Sequence, residues 1–258
     1  MRPMLRHPSR WVVLLGLGLG WNPGASFAQG RITFDLGLWE VQPSGHLALG
    51  SAGRAGTEAD VDKDLHLDDT ERVLQGAAFI GGEHQLALAY FAYDASARGP
   101  LPRPLTVGAH DFPATTALHT ELDVGMLGLG YRYAGGTEEW QSGFALSLYN
   151  VQVEQVSRSA TLQARGELST LCPVITIHGS WQPAMMLGLQ GSVSGGAWDA
   201  RSTSLTYLDA QASARLLLYP FVAGLGYRHL ALQGDDSDLP FEVDLTFSGP
   251  VFFAGIAF

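Results

Sequence analysis

The feature that most constrains this chain is a period of two. In "RITFDLGLW", Ile32, Phe34, Leu36 and Leu38 share one face, and Thr33, Asp35 and Gly37 the other. In "EHQLALAYFAY", Leu86, Leu88 and Tyr90 alternate with Gln85, Ala87 and Ala89. In "SGFALSLYN", Phe144, Leu146 and Leu148 oppose Gly143, Ala145 and Ser147. In "LDAQASARLLLY", Leu208, Ala210, Ala212, Ala214 and Leu216 oppose Asp209, Gln211, Ser213 and Arg215. Successive side chains of a strand point to opposite faces, so each segment reads as a strand with one apolar face. Repeated segments of about ten residues of this kind are the pattern of an all-β, transmembrane, antiparallel up-and-down β-barrel.

A soluble sandwich or a lipocalin-like periplasmic barrel would alternate as well. Three features favour the membrane. Aromatics gather near strand ends, at Tyr90, Phe91 and Tyr93, at Tyr131 and Tyr133, and at Tyr219 and Phe221, as interfacial girdles do. Connections alternate in length: 81–84, 134–139, 181–185 and 218–221 are short, whereas 50–70, 94–118, 154–170, 195–203 and 233–240 are longer and more polar. The chain ends "FFAGIAF", with Phe252, Ala254, Ile256 and Phe258 on one strand face. About ten strands are predicted, at 31–49, 70–80, 84–94, 119–133, 140–153, 171–182, 185–195, 203–218, 221–232 and 241–258. Eight and twelve are the alternatives, because 31–49 can break at "QPSG" and 154–170 can prolong strands beyond the bilayer.

Residues 1–28 read as a separate segment. Arg2, Arg6 and Arg10 precede the apolar run Trp11–Trp21, and Ser26 and Ala28 supply small residues before Gln29. Basic, apolar, small is the order of a secretory signal, and the run is shorter than the ~20 residues a spanning helix needs. The barrel is then expected over 29–258. The chain has 15 basic and 25 acidic residues; without the three signal arginines the balance is 12 against 25, net −13. So acidic a surface disfavours nucleic acid and suits divalent cations or basic partners. The single cysteine, Cys172, excludes an internal disulfide or a zinc–cysteine cluster.

In the last strand, Val243, Leu245 and Phe247 form an odd-numbered apolar set, but from Phe252 onward the set is even. One residue of slip flips every side chain of a strand, so a β-bulge or kink is predicted at "SGP", 248–250. "GLGYR" occurs at 128–132 and 224–228 and turns Arg132 and Arg228 to the lumen beside glycines that give them room. Arg215 joins them, and Asp35, Asp209, Glu242 and Asp244 are the inward acids expected. A barrel of about this size is filled by side chains, so these charges predict a paired internal plug rather than a wide pore.

The stretch "DVDKDLHLDDT", 60–70, holds Asp60, Asp62, Asp64, Asp68 and Asp69 with His66. The opening spacing matches an EF-hand loop, but Leu65 stands where glycine is required and no helix flanks it, so an EF-hand is excluded. Extended, it puts Asp60, Asp62, Asp64, His66 and Asp68 on one face, and Val61, Leu65 and Leu67 on the other. A solvated acidic loop is one reading. The other adds Asp235, Asp236 and Asp238, which barrel closure brings alongside, making a rim suited to Ca2+ or Mg2+ and to bridging lipopolysaccharide. No cofactor is required.

The Asp-Leu-x-Leu-Asp run after the first strand, the strand pairs, "GYR" and a terminal Phe resemble a group of small proteobacterial outer-membrane β-barrel proteins of uncharacterised function. The resemblance covers most of the mature chain, with His66 where that pattern has glycine. It implies the barrel fold and the outer membrane; the partners expected are outer-membrane lipid and lipopolysaccharide, and the barrel-assembly machinery through the Phe258 strand. It transfers no catalytic residue. His178 and Ser180 are similar to the His-x-Ser pair of outer-membrane lipid A deacylases, but the following "LQGSVSG" has no carboxylate to complete a set. Omptin-type proteases use rim aspartates and a histidine; Asp68 or Asp69 with His66, and Asp235 with His229, lack their spacing. His110, Asp111 and His119 are loop residues. A non-enzymatic barrel for envelope integrity, surface binding or narrow solute passage is the expectation, with a lipopolysaccharide-modifying or proteolytic hydrolase as the alternative.

Overall fold

The computed structural model describes residues 32–257 apart from positions 52, 53, 68, 138, 201 and 239. The 1–28 segment, Asp68 and Phe258 therefore lie outside the described residues. In chain order the strands are β1 (Ile32–Leu49), β2 (Ala59–Asp60), β3 (Glu71–Gly81), β4 (His84–Pro100), β5 (Leu105–Val107), β6 (His110–Phe112), β7 (Ala117–Gly136), β8 (Trp140–Arg158), β9 (Gln163–Ala184), β10 (Leu187–Ala200), β11 (Thr203–Leu218), β12 (Phe221–Asp236) and β13 (Phe241–Ala257). Ten of them are long, each pairs antiparallel with the next along the chain, and β13 closes on β1. The closing ladder runs from Thr33↔Ala257 to Leu49↔Phe241. This is a closed ten-stranded up-and-down barrel. The connections 82–83, 137–139, 185–186 and 219–220 lie at one end, with the start of β1 and the end of β13; the long segments 50–70 and 101–116 lie at the other, with the short 159–162, 201–202 and 237–240; these are called the turn end and the loop end.

The wall has two zones. Toward the turn end, large apolar side chains face outward: Leu36 and Leu225 are each 61% exposed. Toward the loop end the apolar side chains face inward, and Leu245 and Phe247 are fully buried. The exchange occurs within individual strands. Outward Leu36 and Leu38 give way along β1 to outward Glu40 and Gln42, with Trp39 and Val41 turned in. Along β7, outward Leu127 and Leu129 are matched nearer the loop end by inward Leu122 and Val124.

The same exchange explains β13 and corrects the bulge expected at 248–250. The β12–β13 register is continuous from Phe221↔Ile256 to Asp236↔Phe241. Odd positions face inward throughout: Val243, Leu245 and Phe247 fill the interior, and Phe252 points out from an unbroken strand. The apolar parity changes with height in the barrel, outward at the turn end and inward at the loop end, with no slip of the chain. Glu242 and Asp244 consequently face outward, contrary to expectation, and Gln233 donates to Asp244 at 3.1 Å. The same inward apolar residues prolong strands into segments expected to be loops, so β4 reaches Pro100 and β8 and β9 leave only 159–162 between them.

The loop end is closed by its own loops. β2 adds to β1 at Leu47↔Ala59, and the β5–β6 hairpin is tied across the mouth by Gly108 N–H to Leu49 O (2.7 Å) and Thr57 N–H to Thr106 O (2.9 Å). Val61, Leu65 and Leu67 from the first loop and Leu101, Leu105, Val107 and Phe112 from the second join one buried cluster with the barrel interior. The dry plug is thus built by strands and loops together.

Candidate functional site

Below the plug the interior turns polar around a cavity of about 190 Å3. Arg228 forms the seam. Its Nε and Nη2 donate to the two oxygens of Asp209 at 2.9 Å each, and Nη1 donates to Gln75 Oε1. Its guanidinium lies over the rings of Trp39 (4.8 Å) and Phe91 (5.7 Å) at the base of the plug. Tyr207 Oη also donates to Asp209, at 3.0 Å. A bidentate, ring-stacked arginine of this kind is held in one orientation. Lower down, Arg215 pairs with Asp35 at 3.1 Å and lies over Phe253. Arg132 differs from both. It donates to Gln85 Oε1 (3.0 Å), abuts the His178 ring at 3.0 and 3.3 Å and lies over Phe79, and among the described residues no carboxylate is within ion-pair reach.

Arg132, Arg215, Arg228 and Asp209 line the lumen, and Asp244 faces outward. The two "GLGYR" glycine pairs make room differently from expectation. A side chain at Gly128 would meet the Tyr149 ring at 2.6 Å, and one at Gly224 the Phe253 ring at 2.4 Å. The first glycine of each pair admits an aromatic neighbour, whereas Gly130 and Gly226 lie against Ser147 and Ser213. Gln75, Gln85 and Tyr207, which complete these contacts, escaped the sequence reading; the signal available was their inward parity on β3, β4 and β11.

The acidic rim is dispersed. Residues 61–65 curl into a turn rather than an extended flap: Asp60 O accepts from the N–H groups of Asp64 (3.0 Å) and Leu65 (3.1 Å). Asp60 Oδ1 accepts from Asp62 N–H and Lys63 N–H, both at 3.2 Å. Asp64 is buried and grips Arg103, whose Nη2 donates to Oδ2 at 2.6 Å and to Glu58 O at 2.7 Å. Burial pushes the Asp64 carboxyl up, but the Arg103 guanidinium and the Asp60 N–H outweigh it and hold it below the ordinary aspartate value. The two loops do meet at their bases, through Gly50 N–H to Pro240 O at 2.6 Å. Their acids have separate partners: Asp235 bonds Ser204, Asp236 bonds Thr203, and Asp238 N–H donates to Asp236. Asp69 is exposed. Among the described residues no three His, Cys, Asp or Glu side chains converge to hold a metal ion.

The hydrolytic candidates do not converge either. His178 and Ser180 both face the lumen on β9, but His178 presents its ring to Arg132 and to Tyr133 O (3.1 Å), and no hydrogen bond joins it to Ser180 among the described residues. Asp111 is drawn to Arg54 at 2.5 Å, which holds its carboxyl down, and His119 bonds Ala97 O and Glu121. His229 bonds Ser248 at 2.8 Å.

No protein family and no curated protein matches the sequence. Among solved structures, the outer membrane protease OmpT from Escherichia coli is similar in fold, with a TM-score of 0.54 at 11% identity over 88% of this chain and 96% of that one. The outer membrane protein AlkL aligns with a TM-score of 0.39 at 13% identity over 95% and 97% of the two chains. The Pseudomonas putida toluene transporter TodX aligns with a TM-score of 0.35 at 9% identity over 90% and 91%. At such identities the OmpT likeness extends to the barrel fold alone.

Proposed function

We propose that this chain is a bacterial outer-membrane barrel that admits small solutes to a polar chamber from its turn end and passes them only when the loop plug opens. The observation that supports this most is the division of the lumen, with a dry plug above a polar cavity. The belt of outward Leu, Ile and Phe needs an apolar cover, which a bilayer provides, while the interior charges stay off the lipid. By the pattern of short periplasmic turns and long external loops, the turn end faces the periplasm. Hydrolysis finds less support, because the candidate His178 lies against an arginine where a triad requires an orienting carboxylate.

Planar-bilayer recording of the refolded chain tests this. The native protein should be nearly silent. A carboxylate introduced into the plug, Leu65→Asp with Leu105→Asp, should produce discrete openings. Equal silence from a folded plug variant would refute the passage reading.

A further inference from the structure

The chamber carries one more charge than it compensates. Three guanidiniums reach it, from Arg132, Arg215 and Arg228, against two carboxylates, Asp35 and Asp209. Each carboxylate is committed to an arginine, Asp35 to Arg215 and Asp209 to Arg228. Arg132 has only neutral company. A neutral imidazole has one acceptor nitrogen, so His178 accepts from Arg132 Nε at Nε2 (3.0 Å) or from Arg132 Nη2 at Nδ1 (3.3 Å), but not at both. Together with Gln85 that satisfies at most two of the five N–H groups of Arg132. A charge held inside a spanning barrel without a counter-charge is costly, and marks a ligand path before it marks structure.

Two further donors line the same cavity without a partner, Ser213 Oγ and Arg215 Nε, and both are buried. Asp35 Oδ1 is an unpartnered acceptor there, and the Ser213 hydroxyl can donate or accept. Positive charge thus predominates over negative, and Arg215 Nε–H and the Ser213 O–H are free to donate beside it. From this juxtaposition we propose that the chamber binds a small oxyanion, a carboxylate or a phosphate, with the Arg132 guanidinium as its counter-charge and Arg215 and Ser213 as further donors. The planar guanidinium fork matches both oxyanions. The cavity, about 190 Å3, is smaller than the ~300–1,000 Å3 of sites for drug-sized ligands, so the anion is small. A ligand carrying a hydroxyl, such as hydrogen phosphate or a hydroxy acid, would also satisfy Asp35 Oδ1. This deepens the solute-passage reading by naming the solute class.

The test is calorimetric titration of the refolded full chain in micelles with inorganic phosphate, with lactate, and with choline as a cationic control. Saturable binding of phosphate, lactate or both is expected, and the arm that responds identifies the source. Binding should weaken at least tenfold in Arg132→Gln and largely return in Arg132→Lys, while Arg72→Gln on the outer wall leaves it unchanged. Should Arg132→Gln not fold, the arginine Nε–H resonances of the native protein serve instead, and those of Arg132 and Arg215 should move on titration. No anion binding by the native chain, equal binding by a folded Arg132→Gln, or unmoved resonances would each overturn the proposal. Bilayer silence of the plug variant with anion binding intact would count against passage alone.

Discussion

Replacing Arg103 by glutamine probes how the plug is held. Asp64 is only 5% exposed at its side chain and Arg103 is 50% exposed, so the pair is anchored at one end and wet at the other. A hydrogen bond to a charged group contributes ~1.5–3 kcal/mol. Discounted for the exposed guanidinium, the pair should hold the plug by about 1–2 kcal/mol. That corresponds to roughly a 5–30-fold rise in the opened fraction when it is lost. Hydrogen-exchange protection of the amides of Val61, Leu65 and Leu67, measured in micelles and corrected for intrinsic rates, reads that fraction.

The pH dependence gives the sharper check. The folded Asp64 carboxyl lies below its ordinary value of 3.8, so the stabilisation is present above 3.8 and is lost as pH falls through the lower folded value. In Arg103→Gln the burial of Asp64 remains without its cation, and its carboxyl should titrate higher. The gap in protection between native protein and variant should therefore be widest near pH 7 and narrow on acidification toward 3.8. A gap that is absent, that is unaffected by pH, or that is matched by Arg165→Gln on the outer wall would refute the latch.

Two further predictions concern the outer wall and the lumenal ion pair. Leu225→Arg, in the outward belt, should cost about 2–4 kcal/mol in urea unfolding from vesicles, whereas Gln233→Arg, also outward on β12 but beyond the belt, should stay within about 0.5 kcal/mol; equal costs would remove the bilayer from the reading. Arg228→Met leaves Asp209 buried and unpaired and should cost ~3–5 kcal/mol, with Asp209→Asn on top of it recovering a good part, both read from the denaturant midpoint.

How much of this was legible in the sequence depends on which environment each residue meets. Of the eight, ten or twelve strands that alternation and connection lengths allow, ten are present, since "LALAY" and "ALSL" keep one phase across their strands and 31–49 does not break at "QPSG". The inward Arg132, Arg215, Arg228 and Asp209 follow from the same parity. What misled was β13, where Val243, Leu245 and Phe247 look like an outward face because a single rule, apolar outward, was applied along the whole strand. That rule holds only toward the turn end, where the interior is polar. The plug residues of the second loop were also overlooked, although Leu101, Leu105, Val107 and Phe112 are a poor composition for a solvated loop. Arg103 among the prolines was the matching cation for Asp64, but no local spacing connects residues 39 positions apart.

The β13 misreading itself carries information. If one strand alone exchanged its apolar face, a bulge would be the economical explanation, since a bulge moves one strand and leaves its neighbours. Here the neighbours exchange faces as well. Outward Leu86, Leu88 and Tyr90 on β4 are followed by inward Phe91 and Tyr93, and outward Leu225 and Tyr227 on β12 by inward Leu230 and Leu232. A change shared by strands in unbroken register is a property of height in the barrel. It marks where the outward face passes from apolar to polar and where the interior passes from a polar cavity to an apolar cluster. Arg228, stacked under Trp39 and Phe91 and paired with Asp209, lies at that level. In a barrel too narrow for an open pore, apolar parity that inverts along several strands at once predicts an interior plug and the polar chamber beneath it.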